Sequence, residues 1–373
     1  MRIVVSESTT AMGGQELAVL LHAEGLLKRG HTIRLILEPG SPICERATRQ
    51  GLPVDPIPMR RLRYPVAIAA FRRVMLRDRP EILHVNSSRD SWIGGLAARL
   101  VPARPAVIRT RHISTPLNRN AATQFLYRRL LDMVIVTGSE LTRRALIERD
   151  GLEPDRVAAF PIGIDLEQFR PGPPERDLRQ ELGLPAGHRL VGLISYLRAY
   201  KGHQYFIEAA ARVLPRTKDV TFVIVGEGPE EDTLRVRIAG LGLTDQVRML
   251  GFREDLLNVF RSLDVFVIPS VEADTIPQVL MQALALGLPV VSTTVGSIPD
   301  VVRDGATGFV VPPRDAGALA EQIGALLADP DLRHAMGARG RAVVEREYSL
   351  ERMLDRLEGV YRQADGARKR CGT

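Results

Sequence analysis

Short runs of β-branched and apolar residues alternate with amphipathic helical stretches along almost the whole chain. In the first half, these runs predict strands at Arg2–Ser6, Thr32–Leu37, Ile82–Val85, Ala106–Arg109 and Met133–Val136. The spacing of apolar positions between them predicts helices over Glu16–Lys28, Val66–Leu76, Trp92–Leu100 and Thr123–Leu131. Because such alternation builds a parallel sheet covered on both faces, we expect a doubly wound α/β domain.

A segment rich in proline and glycine, 161–174, interrupts this pattern, which then restarts. The second half predicts strands at Leu190–Ser195, Thr221–Val225, Val247–Leu250, Val265–Ile268, Val290–Thr293 and Gly308–Val311. Its predicted helices are His203–Val213, Glu230–Ala239, Leu256–Arg261 and Gln278–Ala285, followed by a helical region over Asp315–Gln363. We therefore expect an N-terminal domain at 1–165, a linker at 166–185 and a C-terminal domain at 186–345. Residues 346–373 are expected to form a helix and tail that pack back toward the N-terminal domain.

Composition narrows the class of protein. Apolar residues make up 45% of the 373 residues and charged residues 25%, which is a globular mix. Cys44 and Cys371 are the two cysteines, and no spacing suggests a zinc site. No apolar run reaches about 18 residues, and the N-terminus lacks the apolar core of a signal peptide. We expect a cytoplasmic protein without a transmembrane helix.

Positive charge is concentrated in the first half. Residues 1–165 carry 25 Lys/Arg and 16 Asp/Glu, whereas residues 166–373 carry 26 and 28. This half either faces an anionic partner, such as a membrane leaflet or a phosphorylated acceptor, or has ordinary solvated arginine-rich surfaces. The basic run at 60–77 is either a helix lying on a membrane or a helix packed on the sheet. Aromatic residues are not interleaved with the arginines, so nucleic acid is not expected.

Loops that follow predicted strands carry the candidate chemistry, because doubly wound sheets bind ligands at those ends. Gly13 and Gly14 open the first helix, where free N–H groups suit a phosphate, although such glycines also serve ordinary turns. His84 and His112 each end a strand, and the arginines around His112 suit an anionic group. A lone histidine is more often structural than catalytic.

Similar loops occur in the second half. Arg198 and Lys201 follow a strand and suit a diphosphate, or are two ordinary surface charges. Gly226 and Gly228 follow the next strand and fit a turn. The segment 269–291 reads as a strand, an acidic loop and a helix, with Thr275 as the expected cap and Pro277 in the first turn.

In their order along the chain, these motifs resemble the retaining glycosyltransferases of family 4, which have the GT-B fold. Besides the loops above, the likeness rests on the junction residues Pro161, Gly163, Asp165 and Phe169, on Pro229 after Gly228, and on Gly251-Phe252. One departure lies in the paired glutamates of that family. Ungapped alignment puts Asp274 at the first position and Gln282 at the second, with Glu272 as a substitute for the first if the loop shifts.

The resemblance implies two Rossmann-like domains facing an interdomain cleft and a role for each motif. It implies catalytic roles for His112, Arg198, Lys201 and Asp274; donor contacts from Gly13, Gly14, Gly226, Gly228, Gly251, Phe252, Glu272, Thr275, Ile276, Pro277 and Gln282; and acceptor-side positions at Glu16, His84, Arg89 and Arg111. No metal or other cofactor is implied, because the nucleotide sugar is a co-substrate.

The function implied is retaining transfer of a sugar from a nucleoside diphosphate to a glycan or lipid-linked acceptor. Cell-envelope polysaccharide or lipopolysaccharide assembly is the setting we expect, at the cytoplasmic face of the inner membrane if the basic half binds lipid. The sequence leaves open a scaffold of the same fold with little turnover, or a UDP-sugar epimerase. It does not specify the sugar, the acceptor or the oligomeric state.

Overall fold

The computed structural model describes residues 1–371 apart from 11, 61–62, 113–115, 139 and 273–275. The chain divides into two compact units. Unit 1 comprises Met1–Gly163 together with the residues from Leu350 onward, and unit 2 comprises Ile164–Ser349. Each unit is built around one parallel sheet with helices, which confirms the predicted fold class.

Thirteen strands form the two sheets in the described part of the chain. Unit 1 contains β1 (Arg2–Glu7), β2 (Thr32–Leu37), β3 (Val54–Pro56), β4 (Ile82–Val85), β5 (Ala106–Arg111), β6 (Met133–Val136) and β7 (Val157–Ala159). Unit 2 contains β8 (Arg189–Ile194), β9 (Val220–Val225), β10 (Val247–Met249), β11 (Val265–Ile268), β12 (Val290–Thr293) and β13 (Gly308–Val311). The sheet orders are β3-β2-β1-β4-β5-β6-β7 and β10-β9-β8-β11-β12-β13.

Helices connect the strands and cover the sheets. They are α1 (Gly14–Lys28), α2 (Pro42–Arg49), α3 (Tyr64–Asp78), α4 (Ser88–Ala98), α5 (Ala121–Phe125), α6 (Glu140–Glu148), α7 (Leu178–Glu181), α8 (His203–Val213), α9 (Glu231–Gly240), α10 (Leu256–Ser262), α11 (Gln278–Ala285), α12 (Ala316–Ala328), α13 (Pro330–Glu347) and α14 (Leu350–Cys371). Short 3₁₀ helices lie at Pro154–Arg156, Ala199–Lys201 and Ile298–Asp300, and a π-helical turn lies at Leu126–Leu130.

Each strand predicted from the pattern is present with ends shifted by two residues or fewer. The strands β3 and β7 were not predicted, because a three-residue strand at a sheet edge is too short to show a period of two. The helix predicted over Thr123–Leu131 is instead α5 followed by the π-helical turn. In that turn the N–H of Leu131 donates to the carbonyl of Leu126, a wider step than in an α-helix.

Alternate residues of each strand enter opposite layers of unit 1. Val107 of β5 packs in a cluster formed by α3, α4 and the π-helical turn, whereas Ile108 packs in a cluster formed by α1 and α14. The C-terminal helix α14 thus completes the core of unit 1, burying Leu354 against α1. Residues 166–185 lie in unit 2, where Phe169 and Leu178 are buried.

Across the described residues, none of the helices combines the length and the apolar character needed to cross a membrane.

Candidate functional site

Both sheets have a topological switch point, where the strand order reverses. In unit 1 it lies between β1 and β4, and in unit 2 between β8 and β11. Ligands of open α/β sheets bind beside the carboxyl ends of the strands at such points.

In unit 2, the loop after β8 contacts the end of β11 through its backbone. Gly202 follows the 3₁₀ helix with φ of +75°, and a Cβ atom there would lie 1.9 Å from the carbonyl oxygen of Pro269. The N–H of Val271 donates to the carbonyl of Tyr200 at 2.8 Å. Because no side chain fits between these backbones, glycine is required at position 202.

The loop after β9 is held against the same loop. Gly226 and Gly228 have φ of +137° and +154°. A Cβ atom on Gly226 would lie 2.0 Å from the carbonyl oxygen of Ser195, and one on Gly228 would lie 2.6 Å from that of Leu197. Leu197 N–H donates to the carbonyl of Glu227 at 2.8 Å. These glycines therefore serve close packing of two loops, and donor contact by them remains a prediction.

Gly251 extends this backbone network to the loop after β10. Its carbonyl accepts a hydrogen bond from the N–H of Gly226 at 2.8 Å, and its φ is +67°. The next residue, Phe252, exposes 59% of its surface. An exposed aromatic ring at a strand end is suited to stacking on a flat ligand such as a nucleobase.

The loop after β8 carries the two predicted diphosphate cations. Arg198 precedes the 3₁₀ helix and Lys201 ends it. The guanidinium of Arg198 lies 5.1 Å from the ring centre of Tyr196, and the ammonium of Lys201 lies 5.4 Å from that of Tyr200. The backbone contacts at positions 202 and 226 fix this turn, so both cations are placed at one strand end.

His203 was missed at the sequence level. It is buried at the start of α8, and its Nε2 lies 2.9 Å from the hydroxyl of Ser195. Burial, together with the charge of Lys201, lowers the pKa of His203 to about 4. The residue is therefore neutral at pH 7 and supports the loop. Its position right after a glycine that ends a basic turn was the available signal.

The segment before α11 is partly outside the described residues, which exclude Asp274 and Thr275. Pro277 is the N-cap residue of α11, not a first-turn residue, and the helix begins at Gln278. Ile276 is buried in the core of unit 2. Glu272 is exposed and forms a salt bridge with Arg314, so its carboxylate is already engaged.

Gln282 lies inside α11 and is buried. Its side-chain Oε1 has no hydrogen-bond partner among the described residues. An unpaired buried acceptor costs about 1–3 kcal/mol, so such an atom is typically matched by a donor. A ligand hydroxyl would satisfy it.

In unit 1, Gly13 and Gly14 begin α1 as predicted. Gly13 is the N-cap residue, and its N–H donates to the side chain of Glu16 at 2.8 Å. Glu16 is buried, and burial raises the pKa of its carboxyl group. This capping interaction gives Glu16 a structural task at the position predicted to face the acceptor.

A second buried carboxylate, which the sequence reading did not single out, lies at the switch point of unit 1. Glu7 ends β1 and accepts hydrogen bonds from the Thr9 hydroxyl at 2.6 Å and from the Ser87 hydroxyl. The side chain of Gln15 also donates to it. Glu7 thereby joins the loops after β1 and β4, the two strands that flank the switch point.

His84 is part of a buried hydrogen-bonded chain. Its Nδ1 lies 2.7 Å from the hydroxyl of Tyr361 on α14, and its Nε2 lies 2.6 Å from the hydroxyl of Thr110. Burial lowers the pKa of His84 to about 3. Both ring nitrogens are used inside the protein, which gives His84 a structural role, and its acceptor-side assignment stays a prediction.

His112 follows β5, and neither of its ring nitrogens has a hydrogen-bond partner among the described residues. Burial, together with the charges of His22 and Arg109, lowers the pKa of His112 to about 3. His22 on α1 is also neutral at pH 7, since burial lowers its pKa to about 4. A neutral imidazole with unused nitrogens can donate to or accept from a sugar hydroxyl.

Two arginines of β5 lie beside Tyr127, in the layer formed by α3, α4 and the π-helical turn. Arg109 and Arg111 lie 5.1 and 5.9 Å from the ring centre of Tyr127, whose hydroxyl accepts from Arg111 at 2.9 Å. Asp90 is buried nearby, and burial raises its pKa well above the ordinary value. Arg89, beside it on α4, is exposed. The predicted Arg111 is therefore a buried residue of a packed cluster.

Both halves of the chain match known family models. Residues 12–168 match the model described as Glycosyltransferase Family 4, and residues 174–343 match that described as Glycosyl transferases group 1. The D-inositol 3-phosphate glycosyltransferase of Acidothermus cellulolyticus is 29% identical over 353 residues, 86% of this chain and 77% of the relative. The phosphatidyl-myo-inositol mannosyltransferase of Mycobacterium leprae is 29% identical over 363 residues, 94% of this chain and 92% of the relative.

A solved structure has the same architecture. Anabaena HepE in complex with UDP has a TM-score of 0.83 and 22% sequence identity, and the match covers 96% of this chain and 99% of that chain. The order of the two sheets, the two family models and this likeness agree with one another. The chain is a glycosyltransferase, it belongs to glycosyltransferase family 4, and it has the GT-B fold.

Proposed function

We propose that the chain transfers a sugar from a nucleoside diphosphate sugar to a hydroxyl group of an acceptor. The observation that carries this proposal is the turn with Arg198 and Lys201, held by the close backbone contacts at Gly202 and Gly226. Preorganised cations at a strand end stabilise the charge that develops on a departing diphosphate. The neighbouring exposed ring of Phe252 would hold the base.

The donor nucleotide also explains the unpaired atom of Gln282. In the family that the sequence resembles, the acid at this position contacts the nucleotide ribose. A glutamine offers the same acceptor oxygen without the charge, and its amide adds two donors. The buried Oε1 of Gln282 would then accept a hydrogen bond from a ribose hydroxyl.

Transfer proceeds with retention of the anomeric configuration and without a metal ion. The bond from the anomeric carbon to the diphosphate breaks while the acceptor oxygen attacks from the same face. The acceptor hydroxyl proton passes to the departing diphosphate oxygen, so no carboxylate nucleophile is needed. The neutral ring of His112 would orient the donor sugar, since its nitrogens have no hydrogen-bond partner among the described residues.

The acceptor is a glycan or lipid-linked molecule. The reaction belongs to the assembly of cell-envelope polysaccharide or lipopolysaccharide, and it takes place at the cytoplasmic face of the membrane. Two relatives support a phosphorylated acceptor, since their names specify D-inositol 3-phosphate and phosphatidyl-myo-inositol. The positive excess in residues 1–165 fits the same chemistry.

The test is nucleotide release from a panel of UDP-, GDP- and ADP-sugars, with and without a lipid acceptor. Arg198→Ala should lower the rate about 100-fold, as loss of a preorganised donor does. Arg235→Ala removes an exposed arginine of α9 that pairs with Glu231, and it should leave the rate unchanged. Equal rates for both variants and the parent would remove the proposed diphosphate site.

Two further readouts use the same reaction. Chelation of divalent cations with EDTA should leave the rate unchanged, and a large loss would contradict metal independence. Proton NMR of the first product formed should show the anomeric configuration of the donor, and inversion would contradict the proposed route.

A second candidate is a scaffold that binds the donor with little turnover, favoured by the missing carboxylate at Gln282. Gln282→Glu separates the two functions. If the chain is an active enzyme, this change alters the KM for the donor by a few-fold and keeps kcat. A parent that binds a nucleotide sugar by calorimetry without releasing nucleotide, and gains turnover in this variant, would identify the scaffold.

A further inference from the structure

Two arginines have an unfavourable backbone conformation. Among the described residues, Arg79 and Arg314 are the ones other than glycine with a positive φ, +42° and +65°. The left-handed region lowers the folded population of such a residue by about 5- to 30-fold, because its Cβ crowds the following carbonyl oxygen. Arg79 lies where a helix commonly ends in this conformation, after the last turn of α3. Arg314 precedes the N-cap residue of α12 and needs another explanation.

The side chain of Arg314 supplies that explanation. It forms a salt bridge with Glu272, which lies 42 residues earlier in the chain. Asp315 is the nearer carboxylate in the sequence, but it caps α12 by accepting a hydrogen bond from the N–H of Ala318 at 2.9 Å. The salt bridge therefore joins the loop after β11 to the loop after β13, across the strand β12 that lies between them.

As a source of stability this salt bridge is weak. The side chains of Glu272 and Arg314 expose 64% and 52% of their surfaces. A pair so exposed shifts the folding equilibrium by about five-fold at most, because water screens the two charges. That gain is no larger than the loss from the left-handed backbone at Arg314. Stability therefore does not account for an arginine at this position, where a glycine would fit without the loss.

The two loops that carry the salt bridge are held to the sheet. The hydroxyl of Thr293 donates to the carbonyl of Ser270 at 2.6 Å, which ties the end of β12 to the loop after β11. The N–H of Thr294 donates to the carbonyl of Val311 at 3.2 Å, which ties the loop after β12 to β13. Both partners of the salt bridge thus extend from fixed backbone, and the pairing restricts the orientation of the glutamate.

Glu272 also lies next to the turn that carries the predicted diphosphate cations. The N–H of Val271 donates to the carbonyl of Tyr200 at 2.8 Å, and Tyr200 lies between Arg198 and Lys201. In a nucleotide sugar the sugar is bonded directly to the diphosphate, so a diphosphate at this turn brings sugar hydroxyl groups close to Glu272. The salt bridge uses Oε1, and a carboxylate has about four acceptor positions, so Glu272 can still accept from a hydroxyl group.

We propose that Arg314 is a positioning residue for the donor sugar. It holds the carboxylate of Glu272 in one orientation, in which the carboxylate accepts a hydrogen bond from a hydroxyl group of that sugar. A side chain ordered in advance does not lose its rotational freedom when the ligand binds, so the donor binds more tightly. This inference rests on the proposed function, and it concerns the sugar and not the nucleotide.

Calorimetry on the full chain tests it by comparing two ligands. One is the UDP-, GDP- or ADP-sugar that the parent binds most tightly, and the other is the matching nucleoside diphosphate. Ordering one long side chain costs about five-fold in affinity. Arg314→Gln should therefore raise the Kd of the nucleotide sugar about five-fold and change the Kd of the nucleoside diphosphate less than about two-fold. Arg314→Lys keeps the positive charge and should stay within about two-fold of the parent for both ligands.

A glycine at the same position separates positioning from stability. Arg314→Gly should raise the Kd of the nucleotide sugar about five-fold, whereas the Tm should be unchanged or up to about 4 °C higher, because the left-handed strain is removed. The matched control, Arg79→Gly, makes the same change at the other left-handed arginine, in unit 1. It should leave both Kd values within about two-fold of the parent. A purely structural salt bridge predicts the reverse for Arg314→Gly, a lower Tm and an unchanged Kd.

A double-mutant cycle tests whether Arg314 acts through Glu272. Glu272→Gln removes a charge-assisted hydrogen bond and should weaken binding of the nucleotide sugar about ten-fold. Adding Arg314→Gln to that variant should weaken it less than about two-fold further, since the side chain that the arginine orients is already altered.

The other outcomes overturn the proposal. An unchanged Kd of the nucleotide sugar in Arg314→Gln would leave the pair as a surface salt bridge. An equal loss for the nucleoside diphosphate would show that Arg314 attracts the diphosphate as a charge, and additive losses in the cycle would show that it acts without Glu272. A parent that binds none of the nucleotide sugars would overturn the proposed function together with this inference, whereas a parent that binds one, with variants equal to it, would overturn this inference alone.

Discussion

Three histidines with buried ring nitrogens, His22, His84 and His112, should make unit 1 sensitive to mild acid. Burial lowers the pKa of His22 to about 4 and the pKa values of His84 and His112 to about 3, whereas a solvated histidine has a pKa of about 6.5. Because each folded-state pKa lies below the unfolded-state value, protons bind more tightly to the unfolded chain. The stabilisation is complete above pH 6.5 and is lost as the pH falls toward 4 and then 3.

The size of the effect follows from these pKa values. For His22, linkage between about 6.5 unfolded and about 4 folded costs about 2 kcal/mol at pH 5. The three histidines together cost about 6 kcal/mol, comparable to the whole stability of many domains. Glu16 and Asp90 act in the opposite direction, since burial raises the pKa of each carboxyl group. The measurement must therefore compare a variant with its parent at each pH.

The variant His22→Leu removes one titrating group together with Nε2, a buried ring nitrogen that lacks a partner among the described residues. The quantity of interest is the free energy of unfolding of the variant minus that of the parent at the same pH. This difference should be about 2 kcal/mol larger at pH 5 than at pH 7.5. Urea unfolding is followed through Trp92, the single tryptophan, which reports on unit 1. His334→Leu, an exposed position on α13 in unit 2, is the control. The same difference between His22→Leu and parent at both pH values would refute the reasoning.

Two further predictions concern backbone fit and the buried hydrogen-bonded chain. Gly226→Ala should destabilise unit 2 by about 3 kcal/mol or more, because its φ is +137° and the new Cβ would overlap the carbonyl of Ser195. Gly324→Ala, with open space inside α12, should instead be neutral or stabilise by up to about 1 kcal/mol; unfolding monitored by circular dichroism that ranks the two alike would contradict this. Tyr361→Phe should cost about 1–3 kcal/mol in the tryptophan assay, since Nδ1 of His84 loses its partner, and a change below about 0.5 kcal/mol would argue against that hydrogen bond.

Local pattern was enough to place most elements. The strand β2 is observed at the predicted Thr32–Leu37 because Ile33 and Ile36 are buried and a glycine follows the end of the preceding helix. The strands β3 and β7 were missed because each has only three residues, too few to show a strand pattern. Each forms by pairing at the edge of the sheet, β3 with β2 and β7 with β6. The π-helical turn was missed because its side chains also fit an α-helical period.

In the candidate site too, the sequence predicted what depends on neighbouring residues and missed the contacts between distant ones. The sequence placed Arg198 and Lys201 after a strand, and the structure shows the turn there. It could not show that Gly226 fits against Ser195, because that contact joins two different loops. It also could not show that His84 pairs with Tyr361, because that residue is 277 positions away in the chain.

By itself, the sequence determined the alternation of strands and helices, the two-unit α/β class and the order of the family motifs, because each depends on neighbours a few residues apart. The tertiary structure decided which buried polar groups have hydrogen-bond partners and which lack one among the described residues. It also decided that α3 and α4 share one apolar cluster on one side of the sheet of unit 1. Burial and charge balance are sums over elements distant in the chain, so they appear only when the chain is folded.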